Sequence, residues 1–147
     1  NPDASYGLGK LYLKKDSADY NPQKAVEYLL EAAKKDHEYA QYTLEKLFLK
    51  GEDVPKNVDY ALRWLEEAVE KKNQYAEYLL GKTYLKGEDV DQDLIRAEEL
   101  LRRSSEQGNE YAKFTLGKNL LDGELFLQNI PEAILPYPLH TGPCFLP

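Results

Sequence analysis

The sequence predicts an all-α fold, a right-handed α-α solenoid of antiparallel helix hairpins built from repeats of 36 residues. Two observations support this prediction. The segment YAQYTL at 39–44 returns as YAEYLL at 75–80 and as YAKFTL at 111–116, each time after 36 residues. Each unit also contains two stretches with apolar residues at spacings of three and four, which is the period of an amphipathic helix.

Other columns of the sequence keep the same interval without a single insertion. They comprise Leu8, Leu44, Leu80 and Leu116; Tyr12, Phe48, Tyr84 and Leu120; and Ala25, Ala61, Ala97 and Ala133. One hairpin cannot bury its apolar face alone, so equivalent residues in register predict neighbouring hairpins that stack around one continuous core. The small alanines would let the helices approach each other closely.

The first helix of a unit is represented by residues 39–50. Ala40, Leu44 and Leu47 form one apolar stripe along it. Gly51 and Gly87 follow in equivalent positions, where glycine adopts the left-handed conformation that commonly ends a helix. These positions predict that the first helix of each unit stops there and that a short loop follows.

The second helix of each unit begins after a recurring polar residue. These residues are Asn21, Asn57, Asp93 and Asn129, all typical N-caps. Pro22 occupies the first helical position of the first unit, where its missing N–H costs nothing. Ala61, Trp64 and Leu65 then form the apolar stripe of the second helix in one unit.

The register divides the chain into five segments. We predict repeat 1 at 3–38, repeat 2 at 39–74, repeat 3 at 75–110, a partial repeat 4 at 111–135 and a proline-rich irregular tail at 136–147. Pro136 falls in the column held by Trp64, where proline blocks a helix. The tail has three open interpretations: a cap on the last repeat, a ligand in the groove of a neighbouring molecule that would cause self-association, or a remnant of a shifted reading frame.

At these positions the chain resembles the Sel-one-like repeats, relatives of the tetratricopeptide repeats. The resemblance rests on Ala61, Trp64, Ala68 and Val69 in one unit and on Ala76, Leu80, Gly81, Tyr84, Gly87 and Val90 in the next. It covers residues 3–123 and implies a non-catalytic scaffold or adaptor that assembles protein complexes. Glu45 departs from the pattern, because it stands where Gly9, Gly81 and Gly117 stand.

The segment GKTYLKGEDV at 81–90 is also similar to repeats at the C-terminal ends of some Gram-positive plasmid-mobilisation relaxases. This similarity implies an alternative function, as an accessory docking or spacer region of a larger bacterial enzyme. The chain begins at Asn1 and contains no Met, so we expect it to be a piece of a longer protein.

Composition narrows the classes of partner. The chain has 26 acidic and 19 basic residues and a net charge of −7, and an acidic domain neutralises nucleic-acid phosphates poorly. No stretch approaches the roughly 20 apolar residues of a membrane span. We therefore expect neither a nucleic acid nor a membrane as partner. The single cysteine, Cys144, excludes an internal disulfide and favours a reducing cytoplasm.

No catalytic, metal or cofactor site is predicted, so we do not expect an enzyme. The segment GLGK at 7–10 superficially resembles a phosphate-binding loop, but it lies inside a helical pattern and follows no strand. His37 and His140 have no ligand partner at metal spacing. We predict that His37 is a surface residue between two helices. No nucleophile and base are arranged for covalent catalysis.

In tetratricopeptide-like solenoids the first helix of each unit lines the concave face, and the resemblance places aromatic residues and lysines there. The predicted partner-binding residues are Tyr6, Lys10, Tyr39, Tyr42, Lys46, Lys50, Tyr75, Tyr78, Lys82, Lys86, Tyr111, Phe114 and Lys118. The side chain of Leu49 should point into the same groove.

We expect the partner to be a protein or peptide with acidic groups or a free C-terminal carboxylate. The lysines would donate charge-assisted hydrogen bonds to it, and the tyrosines would provide rigid contact area. The alternative is that the lysines form a solvated helix face and that the tyrosines pack against the adjacent repeat.

Overall fold

The computed structural model describes residues 1–121, which fold into α-helices joined by short connections. The helices are α1 (Pro2–Tyr12), α2 (Pro22–Ala33), α3 (Glu38–Lys50), α4 (Val58–Glu70), α5 (Gln74–Lys86), α6 (Leu94–Glu106) and α7 (Glu110–Leu121). No residue in this part of the chain belongs to a β-strand. The all-α prediction is confirmed. The predictions for Asn129, for the end of repeat 4 and for the tail lie outside the described residues.

The helices contact mainly their neighbours along the chain. α1 packs on α2, α3 on α4 and α5 on α6, which gives three hairpins. Each hairpin then contacts the next, through α2 with α3, α4 with α5 and α6 with α7, and α3 also contacts α5. Contacts limited to adjacent units define a solenoid, as the 36-residue interval predicts.

The connections between the two helices of a hairpin repeat in detail. The side chains of Asn21, Asn57 and Asp93 accept hydrogen bonds from the backbone N–H three residues later, at 3.1, 3.0 and 2.9 Å. Their own backbone N–H groups donate, in the same order, to the carbonyl oxygens of Tyr12, Phe48 and Tyr84. The predicted N-caps are confirmed, and each also ties the start of the second helix to the end of the first.

The predicted glycine stops are confirmed as well. Gly51 and Gly87 have φ values of 68° and 67°, in the left-handed region, and they end α3 and α5. A Cβ added to Gly51 would lie 2.5 Å from the Cβ of Lys56, and a Cβ added to Gly87 would lie 2.6 Å from the Cβ of Gln92. Lys56 and Gln92 belong to the connections that follow the two helices. Glycine is therefore required there both by backbone conformation and by space.

The interpretation of His37 as a simple surface residue is wrong. His37 is the N-cap of α3, where its Nδ1 accepts a hydrogen bond from the Ala40 N–H at 3.2 Å. Its ring stacks on Tyr6 with 4.6 Å between ring centroids, and its Nε2 lies 3.1 Å from Asp3. The position is equivalent to Asn73, which caps α5 in the same way. Histidine has replaced asparagine as the cap and bridges α1 to α3.

The apolar core lies between the second helix of one hairpin and the first helix of the next. It consists of buried clusters at the α2–α3, α4–α5 and α6–α7 interfaces. Each cluster contains an equivalent leucine from each of its two helices: Leu29 and Leu44 in the first, Leu65 and Leu80 in the second, and Leu101 and Leu116 in the third. The leucine column of the sequence thus becomes a column of equivalent contacts between repeats.

Within a hairpin, two helices cross closely at a glycine. A Cβ on Gly9 would lie 2.7 Å from Cγ of Leu29, and a Cβ on Gly81 would lie 2.9 Å from Cγ of Leu101. Both leucines are fully buried. The first helix can therefore approach the second to this distance only because no side chain stands between them.

We expect Gly9→Ala to lower the free energy of unfolding by about 1–3 kcal/mol, because the buried Leu29 must move to admit the methyl group. Gly7→Ala is the matched control in the same helix. Nothing lies within 4 Å of a Cβ there, so the better helix propensity of alanine, worth up to about 1 kcal/mol, should stabilise the protein. Urea unfolding of both variants measures the difference. Effects of equal sign would contradict the close crossing.

Candidate functional site

A groove with a volume of about 890 Å³ lies on the first helices of the second and third hairpins. Nine of the predicted partner-binding residues line it: Tyr39, Tyr42, Lys46, Lys50, Tyr75, Tyr78, Lys82, Lys86 and Tyr111. They come from α3, α5 and α7. Residues 36 positions apart occupy equivalent places on stacked helices, so the repeat itself assembles their side chains on one surface.

The other four predicted residues lie beside this groove or away from it. The ring of Tyr6 stacks 6.1 Å from that of Tyr39, so α1 continues the aromatic row. Lys10 lies over Tyr6, with its Nζ 5.7 Å from the ring centroid. Phe114 is 73% exposed on α7, and Lys118 is exposed on the same helix. Neither of these last two residues lines the groove.

The tyrosines of the groove hold one another in place. The rings of Tyr39 and Tyr75 lie 4.4 Å apart, and the Tyr75 hydroxyl donates a hydrogen bond to the Tyr39 hydroxyl at 2.6 Å. This bond, together with burial, raises the pKa of Tyr75 to about 12. Tyr42 packs 6.1 Å from Tyr75. Tyr39, Tyr42 and Tyr75 thus form one packed aromatic surface, and Tyr75 is uncharged at neutral pH.

Lysines lie over this aromatic surface at helical spacing. The Lys46 Nζ is 5.8 Å from the Tyr42 ring centroid, and the Lys82 Nζ is 5.2 Å from that of Tyr78. Each lysine follows its tyrosine by four residues, which places both side chains on the same side of the helix. A cation over an aromatic ring is attracted to it, so these contacts orient the amines without using up their N–H donors.

Positive charge exceeds negative charge in the lining of the groove, which contains five lysines but only two carboxylates, Glu88 and Asp89. Within residues 1–121, the lysines that form no salt bridge include Lys46, Lys50, Lys82 and Lys86. Burial lowers the pKa of Lys46, and repulsion by Lys50 and Lys82 lowers it further. The protein has a net charge of −7, so an excess of lysines on one face is a distinct electrostatic feature.

Tyr78 combines two roles. It is buried, and it belongs to the cluster that includes Ala112 and Leu116 of α7. Its ring also lines the groove and lies 5.8 Å from that of Tyr111. Tyr78 therefore does both of the things that were set out as alternatives: it packs against the adjacent repeat, and it lines the groove.

Sequence reasoning missed several residues of the groove. Lys56, Glu88 and Asp89 line it from the connections that follow α3 and α5, and Lys56 pairs with Asp89 at 2.5 Å. The shared sequence GEDV at 51–54 and 87–90 was the available signal that these connections have a common structure. Leu49, which was predicted to point into the groove, forms part of its floor but is otherwise buried in the core.

Two further properties concern residues 1–121 only. Their His, Cys, Asp and Glu side chains form no group of three or more that could hold a metal ion. Their helices all fall short of the length and apolar character that a bilayer span requires.

Comparison with protein families gives a threefold match. The family model described as Sel1 repeat matches residues 2–37, 39–73 and 74–109. A comparison with curated proteins gives no match.

Solved structures share the fold. A protective antigen present in uropathogenic Escherichia coli strains, which displays an SLR fold, aligns with a TM-score of 0.71 and 25% identity over 84% of this chain and 26% of its own. The present chain thus spans about a quarter of that protein. A Sel1 repeat protein from Oxalobacter formigenes aligns with a TM-score of 0.64 and 31% identity over 80% of this chain and 89% of its own. Helicobacter pylori cysteine rich protein B, at 18% identity and a TM-score of 0.60, covers 77% of this chain and 90% of its own and shows the fold alone.

Proposed function

The chain belongs to the Sel1 repeat family, whose proteins are generally protein-interaction scaffolds, and on this premise we propose that it binds an acidic segment of a partner protein in the groove on α3, α5 and α7. Proteins of this family are typically non-catalytic. The proposed role is accordingly to hold a partner in a fixed position.

The lysine cluster carries this proposal. Lys46 and Lys82 occupy equivalent positions on α3 and α5, and their mutual repulsion contributes to the lowered pKa of Lys46. An anionic ligand would relieve that repulsion. Since the amines already lie over tyrosine rings, part of their side-chain freedom is restricted before binding, which favours affinity.

The arrangement favours a ligand with at least two acidic groups. Equivalent lysines stand on neighbouring repeats, so a chain that follows the groove meets one after another. The tyrosines between them offer apolar surface and hydroxyl groups to the rest of the peptide. We infer an extended or helical peptide that carries Asp or Glu side chains, or one acidic side chain together with its C-terminal carboxylate.

The experiment is a selection of peptides with free C-termini from a displayed random library, followed by anisotropy measurements with the synthesised peptides. We expect acidic sequences to be enriched. Lys46→Glu combined with Lys82→Glu should weaken their binding at least 100-fold, because each lost hydrogen bond to a charged group is worth about 1.5–3 kcal/mol and repulsion adds to the loss. Binding should also weaken with added salt.

Lys24→Glu combined with Lys34→Glu is the matched control. Both residues are exposed on or beside α2, and the change in net charge is the same. This control should bind the selected peptides as the unaltered protein does. Equal binding by the control and by the groove variant, with helical content intact in both, would refute the groove as the binding site.

A further inference from the structure

We propose that the outer face of α1 is a docking surface for the second helix of a further Sel1-type hairpin. The surface consists of Leu8 and Leu11 with Ala4 beside them. Leu8 is 40% exposed and Leu11 is 48% exposed. Two large aliphatic side chains one turn apart on the same helix form a continuous apolar strip.

The chain provides its own comparison for this surface. The residues equivalent to Leu8 are Leu44, Leu80 and Leu116, and all of them are buried, Leu44 at 1% and Leu80 at 0% exposure. Leu47, equivalent to Leu11, is buried too. Leu8 is thus exposed in α1, whereas its equivalents in α3, α5 and α7 are buried. Of the other residues equivalent to Leu11, Thr83 is buried and Asn119 is half-buried. The difference lies in what covers them.

The buried copies show which kind of element covers this face. Leu44 packs in a cluster with Leu29, Ala32 and Ala33 of α2. Leu80 packs with the equivalent part of α4, and Leu116 with that of α6. In each case the cover is the second helix of the preceding hairpin, with a stripe of leucine and small residues. An element that fits α1 therefore has that stripe.

The start of α1 is also compatible with such a neighbour. Asn1 occupies the column of Asn73 and Asn109, and its side chain caps α1 by accepting a hydrogen bond from the Asp3 N–H at 2.9 Å. In the inner units, Asn73 and Asn109 donate their backbone N–H groups to the last turn of the preceding second helix. Helix α1 thus begins with the same cap as a helix that has a hairpin before it.

A second copy of this chain does not provide the partner helix from its described part. The faces of α2, α4 and α6 that would dock are already covered by α3, α5 and α7. The occupant is therefore a hairpin other than those in residues 1–121.

A test adds such a hairpin to the full chain. A copy of residues 75–108 is fused so that Gly108 directly precedes Asn1, which keeps the 36-residue register because Asn1 is equivalent to Asn109. The extension should raise the Tm by roughly 5 °C, as a further nearest-neighbour interface forms. Hydrogen exchange of the α1 amides should slow by at least about tenfold as local opening becomes less favourable.

Leu8→Glu identifies the surface. In the unextended chain it should change the Tm little, since Leu8 is partly exposed, whereas in the extended chain it should abolish the gain. A large loss in the unextended chain would overturn the proposal, because it would mean that this chain already covers α1. A dimer that Leu8→Glu dissociates in sedimentation would overturn it in favour of a second copy. An extension that leaves exchange in α1 unchanged would overturn it as well. None of these outcomes depends on peptide binding in the groove.

Discussion

Replacing Glu45 by methionine is expected to raise the free energy of unfolding by roughly 4–5 kcal/mol at pH 8, an exceptional gain for a single substitution. Glu45 is 1% exposed, and neither carboxyl oxygen has a hydrogen-bond partner among residues 1–121. A buried polar group without a partner costs its full desolvation penalty. Methionine has a similar shape and no such penalty.

The cost of Glu45 has a structural origin in the repeat. Gly9 and Gly81 occupy the equivalent positions and let their helices cross closely against Leu29 and Leu101. In the second hairpin a full glutamate side chain stands at this position and is almost completely buried.

The gain should depend on pH. Burial raises the pKa of Glu45 to about 9, compared with 4.5 for an exposed glutamate. The folded state therefore keeps a proton that the unfolded state loses above about pH 4.5. By linkage, the stabilising effect of this proton is fully present below pH 4.5 and is lost as pH rises through about 9, by at most about 1.4 kcal/mol per pH unit.

Urea unfolding between pH 4 and pH 9 measures this dependence. Glu45→Met and Glu45→Gln should both show a smaller decline than the unaltered protein across this range, because neither new side chain titrates and only other groups, such as Glu77, still contribute. Only Glu45→Met should also be more stable at pH 4, since glutamine still buries polar atoms. If all three proteins lose stability in parallel as the pH rises, then Glu45 is solvated in the native state.

Arg103→Met is expected to lower the free energy of unfolding by about 2–3 kcal/mol at pH 8. Arg103 pairs at 2.9 Å with Glu77, a fully buried carboxylate that also accepts a hydrogen bond from Gln107. Removal of one partner from a buried pair leaves an uncompensated charge, which typically costs about 3–5 kcal/mol. We expect the lower value because about a third of the Arg103 side chain is exposed.

The neighbouring residue provides the control for this prediction. Arg102 pairs with Glu98 at 2.6 Å, but its side chain is largely exposed, so Arg102→Met should cost less than about 1 kcal/mol. Burial already raises the pKa of Glu77, and Arg103 opposes that rise. Without Arg103 the pKa should rise further, so the destabilisation should shrink as pH falls and Glu77 becomes protonated. Equal losses for the two arginine variants would show that Glu77 is effectively solvated.

The two buried glutamates, Glu45 and Glu77, show which features of the structure could be predicted from the sequence and which could not. The columns of Leu44 and Leu80 and the caps at Asn57 and Asp93 were predictable, because local helix signals and the repeat interval agree there. Glu45 could be recognised as a departure from a glycine column. Whether its side chain would turn to solvent or remain between α3 and α4 depends on packing that no local pattern specifies.

Glu77 was not predictable from the register. Its equivalents are Ser5, Gln41 and Lys113, which differ in chemistry and make different hydrogen bonds. The residues of the groove also divide into those that recur in every repeat and those that belong to one unit. The periodic tyrosines and lysines were identified from the repeat interval together with the binding face that the family resemblance implies. Lys56, in contrast, reaches the groove through a connection whose path the sequence did not specify. Features that recur every 36 residues could be derived from the sequence, and features specific to one unit required coordinates.

The central claim is that a partner binds on the face where lysines of successive first helices align. Photo-crosslinking with benzoylphenylalanine, placed singly along the chain, tests this most directly with the selected acidic peptide. Crosslinks are predicted from positions 50 and 86 in the groove, and none from exposed positions 63 and 95 on the second helices. Crosslinks from positions 63 and 95 without any from 50 and 86 would contradict it.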